Sequence, residues 1–260
     1  MTTPGAEILS HLDVNGRAIA VRRLPGQVPG VMWLGGFKSD MMGSKAQALA
    51  HWAAQRGQAF VRFDYSGHGE SAGRFDDGTI SAWAEEALAV FDRETVGPQI
   101  LVGSSMGGWM ALLLARALAA RALAARGESR LKALVLIAPA PDFTEDLMWA
   151  RFPPEAQRAI LESGRYERPS EYSAEPYVIT RALIEDGRRH LVLGAPFAVG
   201  CPVRILQGAQ DEDVPWQHAM RLVSCLAEDD VVFSLVKDGD HRLSRPEDLE
   251  RLTAVLEEFV

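Results

Sequence analysis

Cysteine is scarce: Cys201 and Cys225 are the only two in 260 residues, and no C-x-x-C pair exists. That excludes a disulfide framework and a thioredoxin-type redox motif, and it predicts buried free thiols. No group of His and Cys has zinc spacing, so neither a metal nor another cofactor is expected. Basic runs are also missing. Lys and Arg total 27 against 35 Asp and Glu, and the net charge of −8 is mixed along the chain. Without a basic or aromatic-basic stripe, nucleic acid is not an expected partner. The longest uncharged stretch, Gly97–Ala115, has membrane length, but it contains Pro98, four glycines and two serines. It reads as strand, turn and buried helix, so no membrane insertion is expected. The start, MTTPGAEILSHLDVNG, lacks a basic n-region, an apolar h-region, a small-residue cleavage site and transit-type Arg/Ser bias. A cytoplasmic location is the resulting expectation. Nothing in the sequence indicates the oligomeric state.

What is present suits one sizeable core, since 47% of residues are hydrophobic. ILSHLDV and RAIAVRRL alternate apolar and polar residues around Asn15-Gly16, a strong hairpin signal. GVMWLGG, AFVRFDY, QILVGSS, LKALVLIAP and PVRILQGA are short apolar runs of the kind buried on both faces of a parallel sheet. VVFSLVKDG adds a last, more alternating strand. Helical segments are predicted at Ser44–Arg56, Thr79–Val96, Met106–Arg126, Trp216–Ala227 and Pro246–Phe259. The implied fold is a doubly wound α/β sheet of eight strands, mostly parallel, led by an antiparallel hairpin, with helices on both faces.

One segment breaks the alternation. Residues 142–196 offer no convincing strand, only helix-like pieces at Pro154–Ser163 and Tyr177–Leu191 and scattered aromatics: Trp149, Phe152, Tyr166, Tyr172 and Tyr177. The segment enters beyond the C-terminal end of a strand, where open α/β sheets bind ligands, so it is expected to be a lid. The expected division is a core of residues 1–141 and 197–260 with the lid at 142–196.

GSSMGG, at Gly103–Gly108, supplies candidate chemistry. G-x-S-x-G places a serine on a tight strand-to-helix turn with small residues two before and two after it. Ser105 satisfies this with Gly103 and Gly107, whereas Ser104 would be flanked by Val102 and Met106. A serine there needs a base, and the base needs an acid to hold its tautomer. In this topology the chain order is Ser, acid, His. His241 lies in KDGDHRLS, past the last strand and before Ser244-Arg245-Pro246-Glu247, which fits a capping box. His218 sits inside a predicted amphipathic helix and is the weaker candidate. For the acid, Asp211 fits G-x-x-D-x-x-V-P with Gly208, Val214 and Pro215, and Asp213 is the runner-up. Asp240 is expected to shape the histidine loop. The oxyanion donors expected are the backbone N–H groups of Met106 and of Phe37, the latter because Gly35-Gly36 lets the chain approach closely. His68, in FDYSGHGES, precedes the nucleophile and is read as part of a glycine turn.

With these residues in hand, the chain resembles the serine α/β-hydrolases, and within them the branch of animal mitochondrial palmitoyl-protein thioesterases also described as acyl-glucuronide esterases. RFDYSG at Arg62–Gly67, GPQILVGSSMGGWM at Gly97–Met110, CPVRILQGAQDEDVPW at Cys201–Trp216 and DHR at Asp240–Arg242 carry the resemblance. A P-S-x-Y-S piece at Pro169–Ser173 extends it into the insertion. The resemblance implies an α/β-hydrolase fold with a helical lid, and a triad on Ser105, Asp211 and His241. It further implies ester or thioester hydrolysis through an acyl-enzyme, on a small-molecule or acylated-protein substrate. A C–C bond hydrolase or lyase using the same triad, and a non-catalytic binding protein on the same fold, are the competing expectations. Ser105 argues against the carboxylate nucleophile of dehalogenases.

Overall fold

A computed structural model describes residues 6–168 and 177–260. The Asn15-Gly16 signal folds as its flanks dictate. Strands β1 (Ile8–Val14) and β2 (Arg17–Leu24) pair antiparallel, with Val14 opposite Arg17. Asn15 and Gly16 have φ of 52° and 80°, the sign pattern of a type I′ turn. The apolar runs become β3 (Gln27–Leu34), β4 (Gln58–Phe63), β5 (Gln99–Ser104) and β6 (Leu131–Ile137). Two short strands, β7 (Arg165–Arg168) and β8 (Tyr177–Thr180), form a separate antiparallel pair. With β9 (Val203–Gly208) and β10 (Val231–Val236) the main sheet has eight strands in the order β1-β2-β4-β3-β5-β6-β9-β10. β2 meets β4 antiparallel, and every pairing beyond β4 is parallel.

Helices α1 (Ser44–Arg56), α2 (Ile80–Glu94) and α3 (Met106–Ala125) follow β3, β4 and β5. Helices α4 (Pro154–Ser163) and α5 (Arg181–Gly187) lie between β6 and β9, and α6 (Trp216–Cys225) and α7 (Pro246–Leu256) follow β9 and β10. They cover both faces, which is why β5 is buried at every position. Successive β5 residues serve different cores, as strand periodicity requires. Ile100 and Val102 pack with Leu49 and Trp52 of α1 and Leu252 of α7. Leu101 packs with Trp83 of α2 and Trp109 of α3, both fully buried. Helix α3 is long and apolar enough to cross a membrane. In this fold its first turns, Met106–Leu112, are buried against the sheet.

Three local expectations are corrected. The segment between β6 and β9 contains strands: Tyr177–Thr180, expected to be helical, is the β-branched strand YVIT, and helix begins only at Arg181. The segment has its own small core of Phe152, Ala156, Ile160, Ile179 and Ile184. Tyr172 and the Pro169–Ser173 piece lie outside the described residues. The capping box expected at Ser244–Glu247 is shifted by one: Arg245 is the N-cap, and its amide donates to Asp248 Oδ2 at 3.3 Å. Of the two cysteines, both free, Cys201 is buried but Cys225 is only partly so.

The strand order sets the place for chemistry. From β3 the chain turns one way to β4, then crosses back to β5 on the other side of β3. The C-terminal ends of β3 and β5 therefore form the switch point of the sheet, the crevice where such folds take ligands.

Candidate active site

The β5–α3 junction puts Ser105 at that switch point. Its φ and ψ are 54° and −119°, a conformation that costs a non-glycine residue roughly 1–3 kcal/mol. The surroundings enforce it. Ser105 N–H donates to the Ile137 carbonyl at 2.9 Å, and the Ser105 carbonyl accepts from Gly108 N–H at 2.9 Å and Ala140 N–H at 3.1 Å. The flanking glycines are steric requirements. A Cβ on Gly103 would collide with the Gly107 carbonyl, and one on Gly107 with the Leu34 carbonyl. Ser104 is buried at the end of β5, and Ser105 is the serine that stands on the turn.

The β10–α7 loop brings His241 to Ser105. His241 Nε2 lies 3.1 Å from Ser105 Oγ, and Nδ1 lies 2.8 Å from Asp211 Oδ2. A carboxylate can only accept, so Nδ1 carries the proton and Nε2 is left to accept from the serine hydroxyl. Asp211, on the β9–α6 loop, is buried, and its other oxygen accepts the Val214 amide at 2.8 Å. Asp213 is exposed, and the carboxylate hydrogen-bonded to His241 Nδ1 is that of Asp211. Asp240 shapes the loop as expected, accepting the Leu243 amide at 2.9 Å where Leu243 has φ of 42°. His218 is buried with Nε2 2.7 Å from the Pro141 carbonyl, a satisfied core position away from this chain of bonds.

Two supporting residues went unread in the sequence. Gln207 is fully buried in β9, and its Nε2 donates to Asp211 Oδ2 at 3.0 Å and to the Val214 carbonyl at 3.0 Å. A lone Gln in the apolar run VRILQG is the signal that could have found it. Lys45, in the first turn of α1, donates through Nζ to the Arg242 carbonyl and reaches Ser244 Oγ at 3.3 Å. Burial and the neighbouring Arg242 lower its pKa to about 8.

The β3–α1 loop completes the site. A Cβ on Gly36 would stand 3.4 Å from Ser105 Cβ, so the loop runs directly beside the serine. Among the described residues, neither the Phe37 nor the Met106 amide has a hydrogen-bond acceptor. The Met106 amide opens α3, where unpaired N–H groups and the helix dipole favour negative charge. The Phe37 ring lies 4.9 Å from Phe75 and 5.4 Å from Phe143, which makes an apolar wall of rings beside the site. A cleft of about 260 Å³ opens between the segment linking β6 to β9 and the Asp211 loop, lined by Met148, Arg151, Phe152, Tyr166 and Asp213 among others. Among the described residues, the group of donors that could hold a cation is Asp211, Asp213 and His241, and two of these are already engaged with each other.

A second cluster of the same residue types lies away from this site. Ser81 Oγ is 2.8 Å from Asp186 Oδ1 and 2.6 Å from His190 Nε2. The same carboxylate accepts the Ser81 amide at 2.7 Å, joining the start of α2 to α5.

Comparison with known proteins places this geometry. Residues 25–252 match the model of the alpha/beta hydrolase family. Mouse palmitoyl-protein thioesterase ABHD10, mitochondrial, is 37% identical over 243 residues, covering 93% of this chain and 78% of the relative. Among solved structures, a putative hydrolase from Agrobacterium vitis superposes with a TM-score of 0.89 at 48% identity, covering 98% of this chain and 97% of the other. Mouse alpha/beta hydrolase domain-containing protein 10 gives 0.84 at 35% identity, covering 96% of this chain and 97% of its own. The mitochondrial relatives overturn the cytoplasmic location expected from the sequence. The expectation was drawn from residues 1–16, of which Ile8–Val14 are strand β1, a part of the sheet that carries no address either way.

Proposed function

Because the chain belongs to the alpha/beta hydrolase family, we propose that it cleaves carboxylic esters or thioesters through an acyl-enzyme formed on Ser105. The observation that carries this reading is the bonded series Asp211–His241–Ser105, with its serine on a strained turn that opens a helix. Ser105 Oγ attacks the carbonyl carbon while His241 Nε2 takes the hydroxyl proton. Asp211 keeps His241 in the required tautomer and stabilises the imidazolium. The Phe37 and Met106 amides receive the charge that develops on the carbonyl oxygen. Collapse expels the alcohol or thiol, which takes the proton from His241. Water then repeats the sequence on the acyl-enzyme and releases the acid.

The substrate reading leans on the relatives. The mouse protein is a palmitoyl-protein thioesterase, and a long acyl thioester is the class we carry to this chain. The ring wall around Phe37 supports an apolar acyl site. Residues 142–196 are proposed as the lid over it, with 1–141 and 197–260 as the core. The test is hydrolysis rate against acyl-chain length for matched oxygen esters and thioesters, with Ser105→Ala as control. A long-chain thioester preference supports the deacylase reading. A preference for short oxygen esters removes it and leaves a general carboxylesterase.

A further inference from the structure

His68 is buried, yet it is not a spare core histidine. Its Nε2 lies 3.1 Å from the Lys38 amide, and its Nδ1 lies 3.1 Å from the Ser66 carbonyl. The two partners fix the tautomer: a carbonyl can only accept, so Nδ1 carries the proton, and an amide can only donate, so Nε2 offers its lone pair. Rings hold the imidazole, with Phe75 at 5.2 Å and Trp83 at 5.3 Å, and Trp83 Nε1 shares the Ser66 carbonyl at 3.2 Å. Burial lowers the pKa of His68 to about 4, with the Ser66 bond opposing and Lys38 assisting, so the ring is a neutral acceptor at working pH.

The amide it receives belongs to the loop beside Ser105. Ser39 N–H donates to the Gly36 carbonyl at 3.1 Å, which closes a β-turn over residues 36–39 whose second residue carries the Phe37 N–H. Lys38, third in the turn, has φ of 57°, while Phe37, second, is not in the left-handed region. That is the sign pattern of a type II turn, which ordinarily requires glycine or asparagine at the third place. A lysine there favours the type I alternative, reached by flipping the 37–38 peptide. The flip would withdraw the Lys38 N–H from His68.

We propose that His68 is a positioning residue: by accepting the Lys38 amide it anchors the Gly36–Ser39 turn to the β4–α2 loop and so holds the neighbouring Phe37 amide on the developing oxyanion. This rests on the acyl-enzyme reading of Ser105. Preorganised donors act only if their aim is fixed before the reaction, and losing one outright costs about 10²–10³ in rate. Losing its restraint should cost part of that. The effect should fall on kcat rather than KM, since the charge exists only in the transition state.

The experiment compares His68→Phe, which keeps ring packing but removes the acceptor, with His68→Gln, whose Oε1 can stand where Nε2 stood. Steady-state rates are read alongside the affinity of an alkyl boronic acid, which places an oxygen in the oxyanion position. His68→Phe should lower kcat about tenfold, leave KM within about twofold, and weaken the boronate in step with kcat. His68→Gln should recover most of the loss. Wild-type kcat and boronate affinity in His68→Phe would overturn the proposal. If His68→Phe does not fold, His68→Asn replaces it, since Asn can reach Ser66 but not Lys38; equal kcat for Asn and Gln overturns the proposal. Wild-type protein that a fluorophosphonate does not modify at Ser105 would sink the acyl-enzyme reading itself, and this inference with it.

Discussion

Two places in this molecule gather a serine, a histidine and an aspartate, and they are wired differently. At Ser105 the bonds run in series, from Asp211 to His241 Nδ1 and from His241 Nε2 to the serine. At Ser81 the hydroxyl is a hub that meets both Asp186 Oδ1 and His190 Nε2. Among the described residues, no acid holds His190 Nδ1, so nothing sets that imidazole as a base. The backbones differ as well. Ser105 stands at φ 54°, whereas Ser81 sits in the first turn of α2, with its amide committed to Asp186. The two clusters share a composition but not a geometry: only the first has a serial connection and a serine on a strained turn, and the proposed nucleophile rests on that difference. The Ser81 cluster reads as a clamp between helices α2 and α5.

The contrast can be broken by mutation, and the serines should give the largest effect. Ser105→Ala should lower kcat by about 10⁴-fold or more while the circular dichroism spectrum stays that of the wild type. Ser81→Ala should leave kcat within about twofold and remove about 1 kcal/mol of stability in urea unfolding. Comparable kcat losses in the two variants would erase the distinction. The acids should separate by a smaller factor. Asp211→Asn should cost about 10³–10⁴ in kcat, because the amide no longer fixes the histidine tautomer. Asp186→Asn should change kcat less than about threefold and lower the thermal midpoint, since it weakens the partner of an α2 amide.

The smallest effect is a pH dependence of stability. Burial alone would raise the Asp186 carboxyl, but hydrogen bonds from the Ser81 amide, Arg189 and the Ser81 hydroxyl outweigh it and hold the pKa below the ordinary 3.8. A carboxyl whose folded pKa is depressed contributes stability that is present above the unfolded value and is lost as pH falls through the folded one. The thermal-midpoint gap between wild type and Asp186→Asn should therefore hold at neutral pH and close in acid below about pH 4. A gap that widens on acidification would contradict the clamp.

Local chemistry explains which of these features could be read from sequence. The hairpin, the parallel strands and α1 are written in short-range pattern, and Asn15-Gly16 and the Ser44–Arg56 periodicity needed no tertiary partner. The expected site residues Ser105, Asp211 and His241 do come together, because each sits in a motif with fixed spacing from a strand end. What was missed depends on distant contacts. His68 meets Lys38 across 30 positions, and Ser81 meets Asp186 across 105. The β7–β8 pair was missed because RYER has no alternation and YVIT runs straight into the helix RALIEDG. Gln207 was readable as a polar residue in an apolar strand, but its partner lies in the loop beyond.

The central claim is that the serial cluster is reactive and the hub is not. Treating the intact protein with a fluorophosphonate and mapping the adduct by peptide mass spectrometry tests it most directly. The account predicts a single adduct on the peptide containing Ser105 and none on the peptide containing Ser81. An adduct on Ser81 with Ser105 unmodified, or no adduct at all, would contradict it.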